Sequence, residues 1–345
     1  MAISELDWQV ERENLEVFTR GRHPSIIHAL CFYQWRGRIN FVFPFIDGTL
    51  EKLLGGQWSG PEKDYLETMD PPHHWLWAQM IGVAEGLSTI HNLQNTDFKR
   101  DGKRMIGFHF DLKPADILIT LKGELKISDF GLSLIKRIEF SSLSHGFFRG
   151  GTPKYQAPEV SRLRGIAPYI PTGLTADEDM SESANNKYDV WSYACIALEV
   201  LIYISGENGI EMLMRFGKAV NEEPLGCAFW YNGKLKNCVD DALRRIGGNT
   251  TAGEEVVGQS AWAKVTVAYL QQNMFEFDPS LRPSSIEVAD RLQRICDEHA
   301  DTPNDELELE LRKYSREEYP KDRFHEIYWH TVNGDVSFLK MLVLR

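Results

Sequence analysis

The spacing of apolar positions changes several times along this chain, and the changes divide it. In "DWQVERENLEVF", Trp8, Glu11, Leu15 and Phe18 follow one another at steps of 3, 4 and 3, the spacing of one helix face. That face carries a carboxylate, Glu11, which is either a helix-edge residue reaching solvent or a group with a partner. After "HPS" come two runs rich in β-branched and aromatic residues, "IIHALCFYQW" and "INFVFPF", joined by the turn-prone "RGR"; they predict a pair of strands. From "DGTLEKLL" onward helical spacing dominates, with "HHWLWAQMIGVAEGLSTIH" and "VWSYACIALEVLIYI" as the long apolar helices. Between them, residues 96–160 read as loop-rich, with short strands around "DILIT" and "ELKISDF". Gly, Pro, Asp and Ser make 161–187 a surface loop or insertion. The stretch 297–323 is a charge-rich connector or solvated helix, and "EIYWHTVNGDVSFLKMLVL" beyond it predicts a hairpin turning at Asn333 and Gly334. There is no internal repeat.

Composition narrows the class. A chain of 345 residues with 43% hydrophobic and 26% charged content can bury a sizeable core. A net charge of −12 argues against a nucleic-acid surface or an anionic membrane face, both of which need clustered Lys and Arg. An anionic ligand must therefore be held by a few placed donors or by metal ions. Cys31, Cys195, Cys227, Cys238 and Cys296 are dispersed, odd in number and without a CxxC pair, so a reducing intracellular compartment, cytoplasmic or nuclear, is expected. The acidic start has no apolar signal-peptide core. The longest apolar run, "YACIALEVLIYI", contains Glu199 and is too short to cross a bilayer.

The chemistry sits in "HFDLKPADIL" at 109–118. "SDFG" at 128–131, "GTPKYQAPE" at 151–159, "YDVWS" at 188–192 and "DPSLRP" at 278–283 follow it in order. Any one of these is weak alone, since an HxD triplet arises often by chance. In this order, with Asp111 and Asp129 eighteen residues apart, they resemble the catalytic domain of eukaryotic protein kinases, of the serine/threonine type, over about residues 8–298. The resemblance implies an α+β, protein kinase-like two-lobed fold with a truncated N-terminal lobe and a mainly helical C-terminal lobe. It divides the chain into 1–46 (one helix, two strands and the hinge), 47–298 (the helical lobe) and 299–345 (charged connector and hairpin).

It also implies a mechanism. Phosphoryl transfer asks a protein for positioning and charge neutralisation. By resemblance Asp111 accepts or orients the substrate hydroxyl's proton, Lys113 steadies the transferring phosphate, and Asp129 and Asp116 hold magnesium or manganese. The hinge "FVFPFIDG" would give ATP its adenine site, with Phe43 as gatekeeper, Pro44 and Ile46 offering backbone groups and Leu118 as the floor. The partner implied is a protein substrate or a docking partner. His109 and Phe130 are packing residues in this reading, stacked with Leu15. Glu159 and Arg282 form a buried ion pair, and Asp189 ties down the catalytic loop.

The pattern departs from the family in three places. Phe110 stands where an arginine is common, so no guanidinium there can read a phosphorylated loop. Asp116 replaces an asparagine and adds negative charge beside Asp111 and Asp129. Residues 1–51 contain no lysine and no glycine-rich loop, so Glu11 lacks its expected lysine. Either an N-terminal piece precedes this sequence, or the fold serves as a pseudokinase, a binding or scaffold module.

Overall fold

The computed structural model describes residues 12–18, 22–35, 38–58, 73–93, 103–139, 145–147, 151–160, 183–205, 208–248 and 261–299. Glu11, Ser141, Ser142, Ser144, most of the 161–187 segment and the hairpin expected around Asn333 lie outside them.

The first described helix, α1 (12–18), turns Asn14, Leu15 and Phe18 inward. Leu15 and Phe18 are the apolar face that the spacing predicts; Asn14 on that face is unexpected. Beyond it, strands β1 (Cys31–Trp35) and β2 (Arg38–Val42) pair antiparallel, with Cys31 opposite Val42 and Trp35 opposite Arg38. The run "IIHALCFYQW" is therefore only half a strand. Its first half joins a different sheet: Ile27 N donates to the Ile127 carbonyl (2.9 Å) and Ile127 N to that of Ser25 (2.8 Å). Burial explains the split, since Ile26 and Ile27 are enclosed in the core while Leu30 and Phe32 are about two-fifths exposed. Gly86 makes room for the crossing, because a Cβ there would stand 3.2 Å from the Ser25 carbonyl oxygen and 3.3 Å from Ile127.

Three short strands form the next sheet in the order β3 (Gly48–Thr49), β5 (Ile117–Ile119), β6 (Leu125–Ile127). Thr49 faces Leu118, and Asp47 N donates to the Ile119 carbonyl at 2.9 Å. The segment expected to form the hinge, "FVFPFIDG", thus ends in a strand lying against Leu118. A second ribbon pairs β4 (Lys103–Phe108) with β7 (Leu134–Glu139), two strands where the sequence predicts only loop. Their register sets the site. Phe108 opposite Leu134 brings the residues after 108 beside those before 134, and Ile117 opposite Ile127 brings Asp116 beside Ser128.

The remaining described chain is mainly helical. Thr49 caps the short helix α2 (Leu50–Leu54) by accepting from Lys52 N at 3.2 Å. Helix α3 (Trp75–His91) begins where the His74 ring accepts from Leu76 N. Helix α4 (Tyr188–Ile204) is buried from Tyr188 to Ile202 on every side, as a sequence that is apolar around most of its circumference requires. Helices Gly209–Glu222, Asn237–Ile246, Ala261–Tyr269 and Ser285–His299 complete this region, and α4 is tied to α3 by Tyr193, whose hydroxyl donates to the Met80 carbonyl (2.8 Å). A hairpin of two-residue strands, Trp230–Tyr231 and Lys234–Leu235, turns through Asn232 and Gly233, both at positive φ.

Candidate active site

The loop from His109 to Asp116 hangs from one buried carboxylate. Asp189, fully enclosed at the head of α4, accepts from His109 N through Oδ2 and from Phe110 N through Oδ1, each at 2.8 Å. His91 Nε2 donates to the same Oδ2 at 2.9 Å, and the Ser285 hydroxyl lies 2.8 Å from His91 Nδ1. Burial alone would raise the Asp189 pKa; the His91 hydrogen bond and charge, with His109, outweigh it and hold the carboxyl below its ordinary range. The clamp secures an uncommon backbone, for Phe110 has φ +66°, a left-handed conformation that costs a side-chain-bearing residue about 1–2 kcal/mol. The Phe110 ring lies parallel to Phe108 (5.1 Å between centroids, 11°) and edge-on to Tyr188 at 6.0 Å.

Asp111 projects from this loop with both oxygens engaged. Thr152 donates to Oδ1 twice, from its backbone N at 2.6 Å and its hydroxyl at 2.7 Å, while Lys113 Nζ bonds Oδ2. Gly151 makes that approach possible. Its φ is +136°, and a Cβ there would stand 2.7 Å from the Phe110 carbonyl oxygen. Lys113 Nζ also lies 2.9 Å from Asp116 Oδ2. Burial works against the ammonium, but hydrogen bonds and charge from Asp111 and Asp116 outweigh it and raise the Lys113 pKa.

Asp116 and Asp129 reach the site from adjoining strands. Asp116, 6% exposed, precedes β5 and its carbonyl accepts from both the Ser128 N and the Ser128 hydroxyl at 2.8 Å. Its buried Oδ2 is the oxygen that faces Lys113. Burial, and secondarily the Asp129 charge, push the Asp116 pKa up to about 6 against the opposing pull of His109 and Lys113. Asp129 is exposed at φ +60°. A buried carboxylate next in space to an exposed one is a donor set that fits a divalent cation taking its other ligands from phosphate and water. Among the described residues no cluster of three or more such groups adds to it.

His109 cannot act on substrate from its position. It is fully buried, its Nε2 donates to the Ser128 carbonyl (2.9 Å), and its ring stands edge-on to Phe130 at 5.6 Å. Phe130 also packs on Phe18 at 4.9 Å, with Leu15 buried in the same core. Phe43, Ile46 and Leu118 are half-buried against that core, and Pro44 is half-buried beside them.

The segment after Gly151 is anchored to α4. Ser192 donates its hydroxyl to the Tyr155 carbonyl (2.8 Å), Tyr155 donates to Glu199 Oε2 (3.0 Å), and Lys154 pairs with Glu199 Oε1 at 2.5 Å. The lone carboxylate of the apolar "YACIALEVLIYI" run is thus neutralised by Lys154 and Tyr155 of the 151–159 segment. Thr152, His91, Glu199 and Asn14 are site residues to which the sequence assigns no role. Thr152 sits inside a recognised motif and Glu199 shows as a charge in an apolar helix, whereas His91 and Asn14 carry no local signal.

No helix among the described residues is long and apolar enough to cross a membrane. The sequence is 28% identical over 58% of its length to a serine/threonine-protein kinase, crk1, of Schizosaccharomyces pombe, spanning 48% of that protein. It is 31% identical over 66% of its length to CBL-interacting serine/threonine-protein kinase 18 of Arabidopsis thaliana, spanning 35% of it. With cyclin-dependent kinase 7 of Xenopus laevis the identity is 24% over 56% of the chain and 44% of the relative. The chain therefore spans half or less of the length of these relatives. Residues 3–291 match the protein kinase domain family, and with its loop, metal-type carboxylates and anchored segment arranged as described, the chain belongs to that family.

Proposed function

We propose that this chain transfers the terminal phosphoryl group of ATP to serine or threonine hydroxyls of protein substrates. The observation that carries the reading is Asp111, fixed by Thr152 on one oxygen and Lys113 on the other, beside the Asp116 and Asp129 pair. Thr152 begins the segment that would hold a polypeptide, so one contact aligns the substrate hydroxyl with the carboxylate that receives or orients its proton. Lys113, its charge sustained by two carboxylates, is released toward the transferring phosphate when that phosphate arrives. Asp116 and Asp129 would hold magnesium or manganese, which neutralises charge on the phosphates when bound. Phe43, Pro44, Ile46 and Leu118 would line the adenine, since the hinge enters β3 directly against Leu118. In this reading 1–46 is the front lobe with its hinge, 47–298 the helical lobe and 299–345 a separate appendage. The dispersed cysteines support work in a reducing compartment, cytoplasmic or nuclear.

The test is phosphate transfer from labelled ATP to a mixture of protein substrates with magnesium or manganese, comparing the chain with Asp111→Asn. Transfer that the substitution abolishes, with nucleotide binding retained, is the expected result. Nucleotide binding with no transfer by the unmodified chain would overturn the reading and leave a binding module.

A further inference from the structure

Asn14 is a carboxamide only 5% exposed on the inward face of α1. Its Nδ2 donates to two carbonyls at once, Phe130 O at 3.1 Å and Ser133 O at 2.8 Å. Those carbonyls bound the tight turn that follows Asp129, which is closed by Ser133 N donating to Phe130 O at 3.1 Å. The Ser133 hydroxyl points on to the His109 carbonyl at 3.4 Å, so the same turn touches the catalytic loop.

Among the described residues α1 also meets this turn through apolar packing, Phe18 against Phe130, with Leu15 in the same core. Apolar contacts favour proximity but are not directional, whereas two N–H groups of one planar amide fix both distance and orientation. The turn needs such a device. Asp129 sits at φ +60°, a conformation that a residue with a side chain keeps only when its surroundings hold it there.

We infer that Asn14 is a positioning residue for phosphoryl transfer: by holding the Phe130 and Ser133 carbonyls it keeps the turn after Asp129 in register with α1 and so aims the Asp129 carboxylate at the metal–nucleotide. The inference rests on the reading under Proposed function. It joins α1 to the metal-binding segment by neutral hydrogen bonds, in a sequence with no lysine among residues 1–51.

Three substitutions test it. Asn14→Leu keeps the volume and removes both donors; Asn14→Asp keeps the shape but faces two carbonyls with an acceptor. Val239→Ala, in the core of the distant 237–246 helix, serves as a control for lost stability. With either Asn14 variant, the magnesium concentration for half-maximal transfer rises about tenfold and kcat falls while KM for the protein substrate stays put, the size expected for two lost hydrogen bonds. Excess manganese recovers part of the rate, and Val239→Ala leaves the metal requirement unchanged. Amide hydrogen exchange over 129–134 gives a readout independent of activity: it accelerates in the Asn14 variants and not in the control. Silence of the unmodified chain in transfer overturns the functional reading alone, and the exchange comparison still decides the role of Asn14. Exchange in the Asn14 variants equal to that of Val239→Ala overturns the inference.

Discussion

Arg282 lays the two arms of its guanidinium on the two oxygens of Glu159, Nη1 to Oε1 at 2.9 Å and Nη2 to Oε2 at 3.1 Å, across 123 residues of chain. The guanidinium is fully buried, lies 5.4 Å from the Trp191 ring, and donates also to the carbonyls of Glu276 and Lys187. Glu159→Gln should therefore destabilise the chain by about 3–5 kcal/mol, because a buried cation is left without its counter-charge. Replacing both residues, Glu159→Leu with Arg282→Met, should not restore stability fully, since the carbonyl bonds are lost as well. Chemical denaturation of the two variants measures both effects; a fully stable double variant would mean that the carbonyls contribute little.

Asp189 predicts a different failure. Its two oxygens receive two backbone N–H groups and His91. Asparagine keeps the size but offers one acceptor, so one buried N–H of the catalytic loop loses its partner at a cost of about 1–3 kcal/mol. The left-handed Phe110 is then held on fewer bonds, and Asp111 follows it. Asp189→Asn should lower transfer by roughly 100-fold through misplacement, with nucleotide affinity little changed. A variant with unaltered kcat would show that Phe108 and Tyr188 alone fix the loop.

Ser141, Ser142 and Ser144 are expected to be silent. Phe110 is fully buried between Phe108 and Tyr188, so its position supplies no cation to a phosphoryl group. Replacing Ser141, Ser142 and Ser144 together with alanine should change transfer by less than about tenfold. A larger loss would identify another basic group as the reader of a phosphoserine there.

What the sequence discloses about this fold depends on how far away each partner lies. The helical spacing of 75–91 and 188–204 is local and sufficient, because each buries a whole apolar face or circumference. Asp111, Asp129, Glu159, Arg282 and Asp189 are legible through motif order. The β4 and β7 ribbon is not: "KRMIGF" and "LIKRIE" are charged runs whose pairing is with a distant strand, so neither looks like a strand alone. The split of "IIHALCFYQW" is equally non-local, since Ile26 and Ile27 leave for Ile127. Asn14 and His91 bond partners 116 and 98 residues away, and a polar residue on a buried helix face gives no hint of which carbonyl or carboxylate awaits it. Asn232–Gly233 carries the same turn signal as Asn333–Gly334, but strands of two residues on either side are too short to alternate.

The pKa of Asp116, about 6, lies above the ordinary carboxylate range because burial and then Asp129 disfavour its charge. The sign follows from proton linkage. A group with a raised folded-state pKa holds a proton that the unfolded chain has already released, so its contribution to stability is full below about pH 4 and is lost as pH rises through about 6. A divalent cation takes only the ionised carboxylate and therefore competes with that proton. Metal-dependent nucleotide binding should fall by up to about tenfold per pH unit below about 6, from an affinity in the high micromolar range, about −5 kcal/mol, at neutral pH. Asp116→Asn should abolish this inflection, raise the metal requirement, and raise the melting temperature of the metal-free chain at pH 7.5, where the native residue is a buried anion. Calorimetric titration with magnesium and ATP from pH 5 to 8, on both proteins, is the measurement. Binding that is metal-free, or that shows the same pH dependence in the asparagine variant, would remove Asp116 from the cation site and leave Asp129 to hold it alone.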